Sequence, residues 1–223
     1  MSFAPEYHKI QSLWKRDPTT NYKTFLTGQW TKPEFELLKD IEWEFTEKVD
    51  GTNIRVHWNG AHQVHFGGRT DKAQIPPFLL TRLEDLFWVE EIWRQAFDAG
   101  TWVTLYGEGY GAKIQQGGGY IPDGVDFILF DVLVGFGDNA LWLRREDVFD
   151  IADKLDIQAT PIVGSGTLED AVSFAKQARG SPVAQDPSKQ SEGIVLRPKV
   201  ELLDRFGKRI ITKLKYRDFN SEH

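Results

Sequence analysis

Two β-rich runs, residues 41–47 and 52–58, meet at Lys48-Val49-Asp50-Gly51, and this junction constrains the fold more than any other stretch. Both runs alternate or are rich in β-branched and aromatic residues, which argues strands. Together they read as a strand pair around the Lys48 motif; the plainer alternative is a surface hairpin in which Asp50-Gly51 makes the turn. Asn59-Gly60 is a second turn signal, and Gln63-Val64-His65-Phe66 is the returning strand. A chain that opens on antiparallel hairpins commits early to an antiparallel sheet.

Helices and strands are interspersed through the rest. Residues 19–21 and 28–33 read as loops, and 34–40 as a short helix or bend. Residues 79–99 are helical in spacing, with Leu83, Leu86, Phe87, Ile92, Trp93, Ala96 and Phe97 on the apolar side and Gly100 as the stop. Residues 102–106 form a strand leading into Gly107-Glu108-Gly109-Tyr110-Gly111, and 126–134 a buried strand. Helices are expected at 144–155 and 168–179, and strands at 193–198 and 209–216. The pattern is α+β: one compact domain, 1–223, of antiparallel sheets with flanking helices. At 223 residues the chain can bury one substantial core or two small ones. It shows no internal repeat and no linker that would divide domains.

Composition excludes several classes. With no cysteine there is no disulfide, no thiolate zinc site and no cysteine nucleophile. The N-terminal residues lack the basic-then-apolar pattern of a signal peptide, and no apolar run approaches a membrane span. A cytoplasmic protein without a membrane partner is expected. The net charge of −6 gives no bulk support for nucleic-acid binding, so such a function needs its positive charge concentrated in a groove.

Lys48 is the candidate nucleophile. A Lys-X-Asp-Gly match arises by chance in roughly one chain in twenty of this length, so alone it also reads as a solvated hairpin. A lysine attacks only after losing its proton, which burial and neighbouring cations favour. Lys213 and Lys215 alternate onto one strand face and can supply such cations, or hold a phosphate. The same two lysines would equally suit a solvated edge strand. Glu192, just before Gly193 and an apolar strand, can hold a magnesium or manganese ion through water, or be a turn glutamate. Glu108, between glycines, can accept from ribose hydroxyls or be a solvated acid. Within Phe127-Ile128-Leu129-Phe130-Asp131-Val132 one phenylalanine can stack on a purine, the other being core. Arg69 can reach a ribose or phosphate, or be a surface arginine. Gly117-Gly118-Gly119 reads as a mobile loop and lacks the spacing of a phosphate-binding P-loop.

Taken in order, these blocks resemble the covalent nucleotidyltransferase superfamily of ATP-dependent polynucleotide ligases and capping enzymes. Lys48-Val49-Asp50-Gly51 is similar to the nucleophile motif and Tyr106-Gly107-Glu108 to the ribose-contact motif. Phe127 to Val132 resembles the aromatic strand, with Phe130 at the base-stacking place. Glu192-Gly193-Ile194-Val195 and Lys213-Leu214-Lys215 resemble the last two motifs. Glu47-Lys48-Val49-Asp50-Gly51-Thr52-Asn53, with Arg69, is most similar to the phage-type RNA ligases that seal nicks.

The resemblance implies a ligase-type, ATP-grasp-like nucleotidyltransferase domain. It implies ATP and Mg2+ or Mn2+ as cofactors, a covalent lysyl-AMP on Lys48, and nucleic-acid ends as substrate, with RNA favoured over DNA. Lys213 and Lys215 would hold the α-phosphate, Glu108 the ribose and Phe130 the adenine. Glu192 would orient the metal through water, and Asp50 would support the nucleophile loop or the metal shell. Glu47, Asn53 and Arg69 join the nucleotide-binding set. Only Arg217 to His223 follow the lysine pair, so neither a C-terminal OB-fold nor a helical module is expected. The expected protein is a monomer, and a partner could supply the missing part. A DNA ligase, a GTP-using capping-type guanylyltransferase and a silent nucleotide- or RNA-binding module are the alternatives.

Overall fold

The computed structural model describes residues 4–115 and 119–220. Gly117 and Gly118 of the expected glycine loop lie outside them, as do Met1 to Phe3 and residues 221–223. The strands in chain order are β1 (Gln11–Ser12), β2 (Trp14–Arg16), β3 (Phe25–Trp30), β4 (Trp43–Lys48), β5 (Thr52–Trp58), β6 (Val64–Gly68) and β7 (Val103–Gly111). They continue as β8 (Val125–Val134), β9 (Leu141–Trp142), β10 (Gln158–Ala159), β11 (Ile162–Gly166), β12 (Gly193–Pro198) and β13 (Thr212–Lys215). The helices are α1 (Pro33–Leu37), α2 (Pro77–Phe87), α3 (Glu90–Arg94), α4 (Arg145–Lys154), α5 (Leu168–Ala175) and α6 (Arg217–Asn220).

These elements gather into two compact units. One consists of residues 9–49 and 161–183 together with the chain from Pro187 onward. Its sheet runs β1-β13-β12-β4-β11, antiparallel except where β1 meets β13. Alternation turns Trp43 and Phe45 of β4, Ile194 and Leu196 of β12 and Leu214 of β13 to one face, where they are buried. Leu168, Ala171 and Ala175 of α5 pack on them, and so does Phe35 of α1. Thr167 starts α5 with a capping box: its hydroxyl accepts from the Asp170 N–H while the Asp170 carboxylate accepts from the Thr167 N–H.

The second unit holds residues 50–160, with the N-terminal residues up to His8 and residues 184–186. Its sheet runs β10-β8-β7-β5-β6, with β9 also on β8, and only β10 lies parallel to its neighbour. Ile54, Val56 and Trp58 alternate onto the core face with Val103, Leu105, Phe127, Leu129 and Val132. Leu79, Leu83 and Phe87 of α2, Trp93 of α3 and Val148 of α4 cover them. Each such fully buried apolar side chain contributes about 1.5–3 kcal/mol. The opposite face is polar and carries Asn53, Arg55 and His57.

The mixed α+β fold and its antiparallel sheets are as the sequence predicts, and β12 has the predicted bounds. The pairing at Lys48 is not. β4 and β5 do not pair: β4 lies between β12 and β11, and β5 between β7 and β6. Asp50-Gly51 therefore carries the chain from one sheet into the other instead of closing a hairpin. Gly51 is needed there because a Cβ would lie 2.3 Å from the Gly109 carbonyl oxygen. Gly107 to Gly111 likewise continue β7 as strand, since the Phe127 ring fills the space where a side chain at Gly107 would stand. Part of the expected 28–33 loop belongs to β3. The 79–99 helix breaks at Trp88 and Val89 into α2 and α3. The 168–179 helix stops at Ala175, and the 209–216 strand is confined to β13.

Candidate active site

Strand register brings three of the predicted residues together. Gly193 is opposite Lys48 on one side and Lys215 on the other. A Cβ at Gly193 would lie 2.1 Å from the Leu214 carbonyl oxygen, so only glycine lets β13 approach this closely. Glu192 is tied to both neighbours through its backbone: its N–H donates to the Lys48 carbonyl at 3.2 Å, and its carbonyl accepts from the Tyr216 N–H at 3.1 Å. Its carboxylate then bridges the side chains of the same two strands. Oε2 accepts from Lys48 Nζ and pairs with it, and Oε1 pairs with Lys215 Nζ.

All three side chains are mostly withdrawn from solvent, at 22% exposure for Lys48, 15% for Glu192 and 18% for Lys215. Burial pushes the Glu192 carboxyl upward, but the ammonium charges and hydrogen bonds of Lys48 and Lys215 outweigh it and hold the group below the usual carboxylate range. The sequence leads one to expect cations around Lys48; its immediate partner is instead a carboxylate, which links it to the expected cation. Lys213, half-buried beside Val195, shares the face of Lys215 by alternation. Lys48, Lys213, Lys215 and Arg197 against Glu44 and Glu192 leave the face net positive in a chain of net charge −6, which suits a phosphate.

Arg197, which sequence reasoning passed over, shares this face as well, opposite Glu44 and 6% exposed. Strict alternation from Gly193 through Val195 was the signal that could have found it. Glu47 points the other way. It pairs with Ile194 on the core-facing side of β4 and is only 2% exposed.

The other predicted residues belong to the second unit. Asn53 and Glu108 are direct cross-strand neighbours on the polar face of β5 and β7. Asn53 Oδ1 is buried without a hydrogen-bond partner, while Glu108 is half-buried. Phe130 falls where the β7–β8 register slips between Tyr106 opposite Asp131 and Gly107 opposite Leu129. It is thus the extra residue of a bulge, the device by which a strand re-aims a side chain. Its ring meets that of Tyr7 edge-on at 5.0 Å, and Tyr7 Oη donates to the buried Asp131 carboxylate at 2.6 Å. No motif flags Tyr7, because its partners lie more than a hundred residues away in sequence. The Asp50 N–H donates to Tyr120 Oη at 3.3 Å. Arg69 is exposed just past β6.

Among the described residues, no group of three or more His, Asp or Glu side chains could hold a metal ion. Glu192 has both oxygens on lysines. This donor set does not make a protein cage for a divalent ion. It fits an ion that keeps its waters and arrives on a nucleotide's phosphates.

The sequence profile of the RNA ligase family matches residues 41–215. No curated protein matches the chain. Among solved structures, the RNA ligase of Naegleria gruberi with PPi superposes at a TM-score of 0.65 and 19% identity, covering 96% of this chain and 56% of that one. A mutant of the same ligase with ATP and Mn gives a TM-score of 0.66 at 18% identity over 96% and 57% of the two chains. Another with AMP and Mn gives 0.65 and 18%, over 96% and 56%. The chain thus spans a little over half the length of these structures. Their likeness shows a shared fold, and the profile match over 41–215 runs from just before β4 to the end of β13, taking in Lys48, Glu192 and both strand lysines. On that match, the chain belongs to the RNA ligase family.

Proposed function

We propose that the chain is an ATP-dependent RNA ligase joining 5′-phosphate and 3′-hydroxyl ends through a lysyl-AMP intermediate. The observation that carries this reading is the Lys48–Glu192–Lys215 cluster. Lys48 Nζ, once deprotonated and released from Glu192, attacks the α-phosphorus of ATP. The N–P bond forms as the bond to the bridging oxygen breaks, and pyrophosphate leaves. A 5′-phosphate oxygen next displaces the lysine, giving an adenylylated end. The 3′-hydroxyl then attacks that 5′-phosphate and AMP leaves.

Lys213 and Lys215 hold the α-phosphate and offset the charge growing on it. Glu108 and Asn53 take the ribose, Phe130 the adenine, and Arg69 a ribose or phosphate oxygen. Asp50 supports the nucleophile loop. Solved ligases of this fold that carry ATP and Mn support a divalent ion as cofactor. When bound, it would neutralise phosphate charge, with Glu192 orienting it through water. Among the described residues no helix is long and apolar enough to cross a membrane. A cytoplasmic monomer acting on RNA ends, with or without a partner protein, fits these features.

The test is label transfer followed by sealing. Incubation with α-labelled ATP is expected to label the protein, and Lys48→Ala to abolish the label. Matched nicked duplexes with RNA or DNA on the 3′-hydroxyl side are expected to seal faster with RNA. Label from GTP alone would overturn the ligase reading in favour of a capping-type enzyme. ATP binding without any adduct would mark a silent module.

A further inference from the structure

Glu47 is a buried acid that the reaction above does not use. Neither carboxylate oxygen completes a hydrogen bond, although the residue is 2% exposed. Ser181, Ser191 and the backbone of Val183 favour its charged form, and the charge of Glu47 is also felt by the Tyr216 hydroxyl. Ser181, Ser191 and Tyr216 are buried as well, at 8%, 7% and 5% exposure. An acid without a firm partner opposes folding where it stands. Burial accordingly drives the Glu47 carboxyl above its usual range, and these neighbours only partly offset that.

The positions of these residues in the chain explain the cluster. Glu47 precedes Lys48, Ser191 precedes Glu192, and Tyr216 follows Lys215. Neighbours along extended chain point to opposite sides. The three segments that carry the candidate catalytic ions on one face therefore carry Glu47, Ser191 and Tyr216 on the other. The same three segments are joined on the front by an ion-paired clamp and meet on the reverse in this buried cluster. The front clamp is the bridge from Lys48 through Glu192 to Lys215, and it must open when Lys48 leaves Glu192 to attack phosphorus. The reverse cluster makes no contact that this step breaks.

We propose that Glu47 is a positioning residue, which with Ser191 and Tyr216 keeps the backbones bearing Lys48, Glu192 and Lys215 aligned while the front clamp is open. The proposal rests on the adenylyl-transfer reading. Glu47 acts through the three segments and does not touch the nucleotide. As a buried polar side chain of fixed shape it is replaceable by glutamine, but not by alanine.

Single-turnover adduct formation with labelled ATP tests this, with the rate constant at saturating ATP normalised to the active fraction. Glu47→Ala is expected to slow that rate constant by roughly 10- to 100-fold, as small misplacements of reacting groups do. The ATP concentration giving half the maximal rate should change by less than about threefold, since ground-state binding is untouched. Glu47→Gln should recover most of the rate. Tyr216→Phe, which removes one oxygen and keeps the packing, should slow the step in the same direction, and it carries the test if Glu47→Ala does not fold. Combined with Glu47→Ala it should cost less than the two separate effects multiplied, because both act in one cluster. An unchanged rate constant with only a lower active fraction or melting temperature means a purely structural role and overturns the proposal. A large rise in half-saturating ATP means direct nucleotide contact and overturns it too. Wild-type protein that never forms an adduct defeats the ligase reading itself; a labelled wild type matched in rate by both variants defeats this inference alone.

Discussion

At the scale of single residues, Glu192 is the pivot. It touches two of the candidate catalytic lysines, and it does so with separate oxygens. Its carboxyl is held below the usual range by those lysines against the push of burial. Replacing it by glutamine keeps the shape and removes the charge. Lys48 and Lys215 then face each other without their counter-ion, and the amine loses the group that aims it. Glu192→Gln is expected to lower the rate of adduct formation by roughly 100-fold, comparable to losing one preorganised electrostatic contact. It should also lower stability by about 1–3 kcal/mol, the range for a hydrogen bond to a charged group. Label transfer and denaturant melts check the two separately; near-wild-type labelling would remove Glu192 from the reaction. Lys215→Ala should behave similarly in labelling, because it removes the far end of the same bridge.

At the scale of elements, close strand approach is what assembles this site. Gly193 pairs with Lys48 and Lys215 at once, and a methyl group there would meet the Leu214 carbonyl oxygen at 2.1 Å and Lys215 Cα at 2.7 Å. Backbone, not a flexible side chain, would have to move. Gly193→Ala is expected to destabilise the fold by about 1–3 kcal/mol, as overpacking does, and to suppress adduct formation. Gly180→Ala is the control in the same unit, since its Cβ would meet nothing nearer than 3.6 Å; equal effects from both would show that crowding is not the cause. The same elements show what could be read from the chain. Gly193-Ile194-Val195-Leu196 alternates strictly and β12 is where it was expected. Lys48, Glu192 and Lys215 carry recognisable motifs. That Glu192 would join the two lysines was not legible, because the pairing links positions 144 residues apart and no local pattern encodes it. The Asp50-Gly51 hairpin failed for a related reason. A turn-forming dipeptide says that the chain can bend, and tertiary packing decides which strand each side then finds. The burial of Glu47 was hidden too, since alternation alone cannot tell which face of a central strand is covered.

At the scale of the whole molecule, charge is distributed unevenly. The chain is acidic overall, yet its candidate catalytic face is cationic, and its second unit buries a histidine that has to stay neutral. His57 is 4% exposed, with Nδ1 3.0 Å from Thr104 Oγ1. Burial, with a smaller effect from the charge of His65 and a slight opposing one from the Val103 backbone, lowers its pKa from 6.5 to about 4. Below pH 6.5 the unfolded chain takes up a proton there that the folded chain refuses. Unfolding then binds protons, so stability falls with falling pH until His57 protonates in the folded state near pH 4. The loss across that window is on the order of 3 kcal/mol. Glu192 acts in a lower window: its stabilising contribution is present above the ordinary carboxylate value and lost as pH drops through its depressed one. Acid should therefore weaken the unit of residues 50–160 first. Denaturant melts from pH 8 to pH 4, with hydrogen exchange resolving the two sheets, are expected to show β5 and β7 losing protection before β12 and β13. His57→Gln should flatten the dependence between pH 6.5 and pH 4 and leave the lower window in place. A wild-type slope that survives the substitution would assign the acid response to another group.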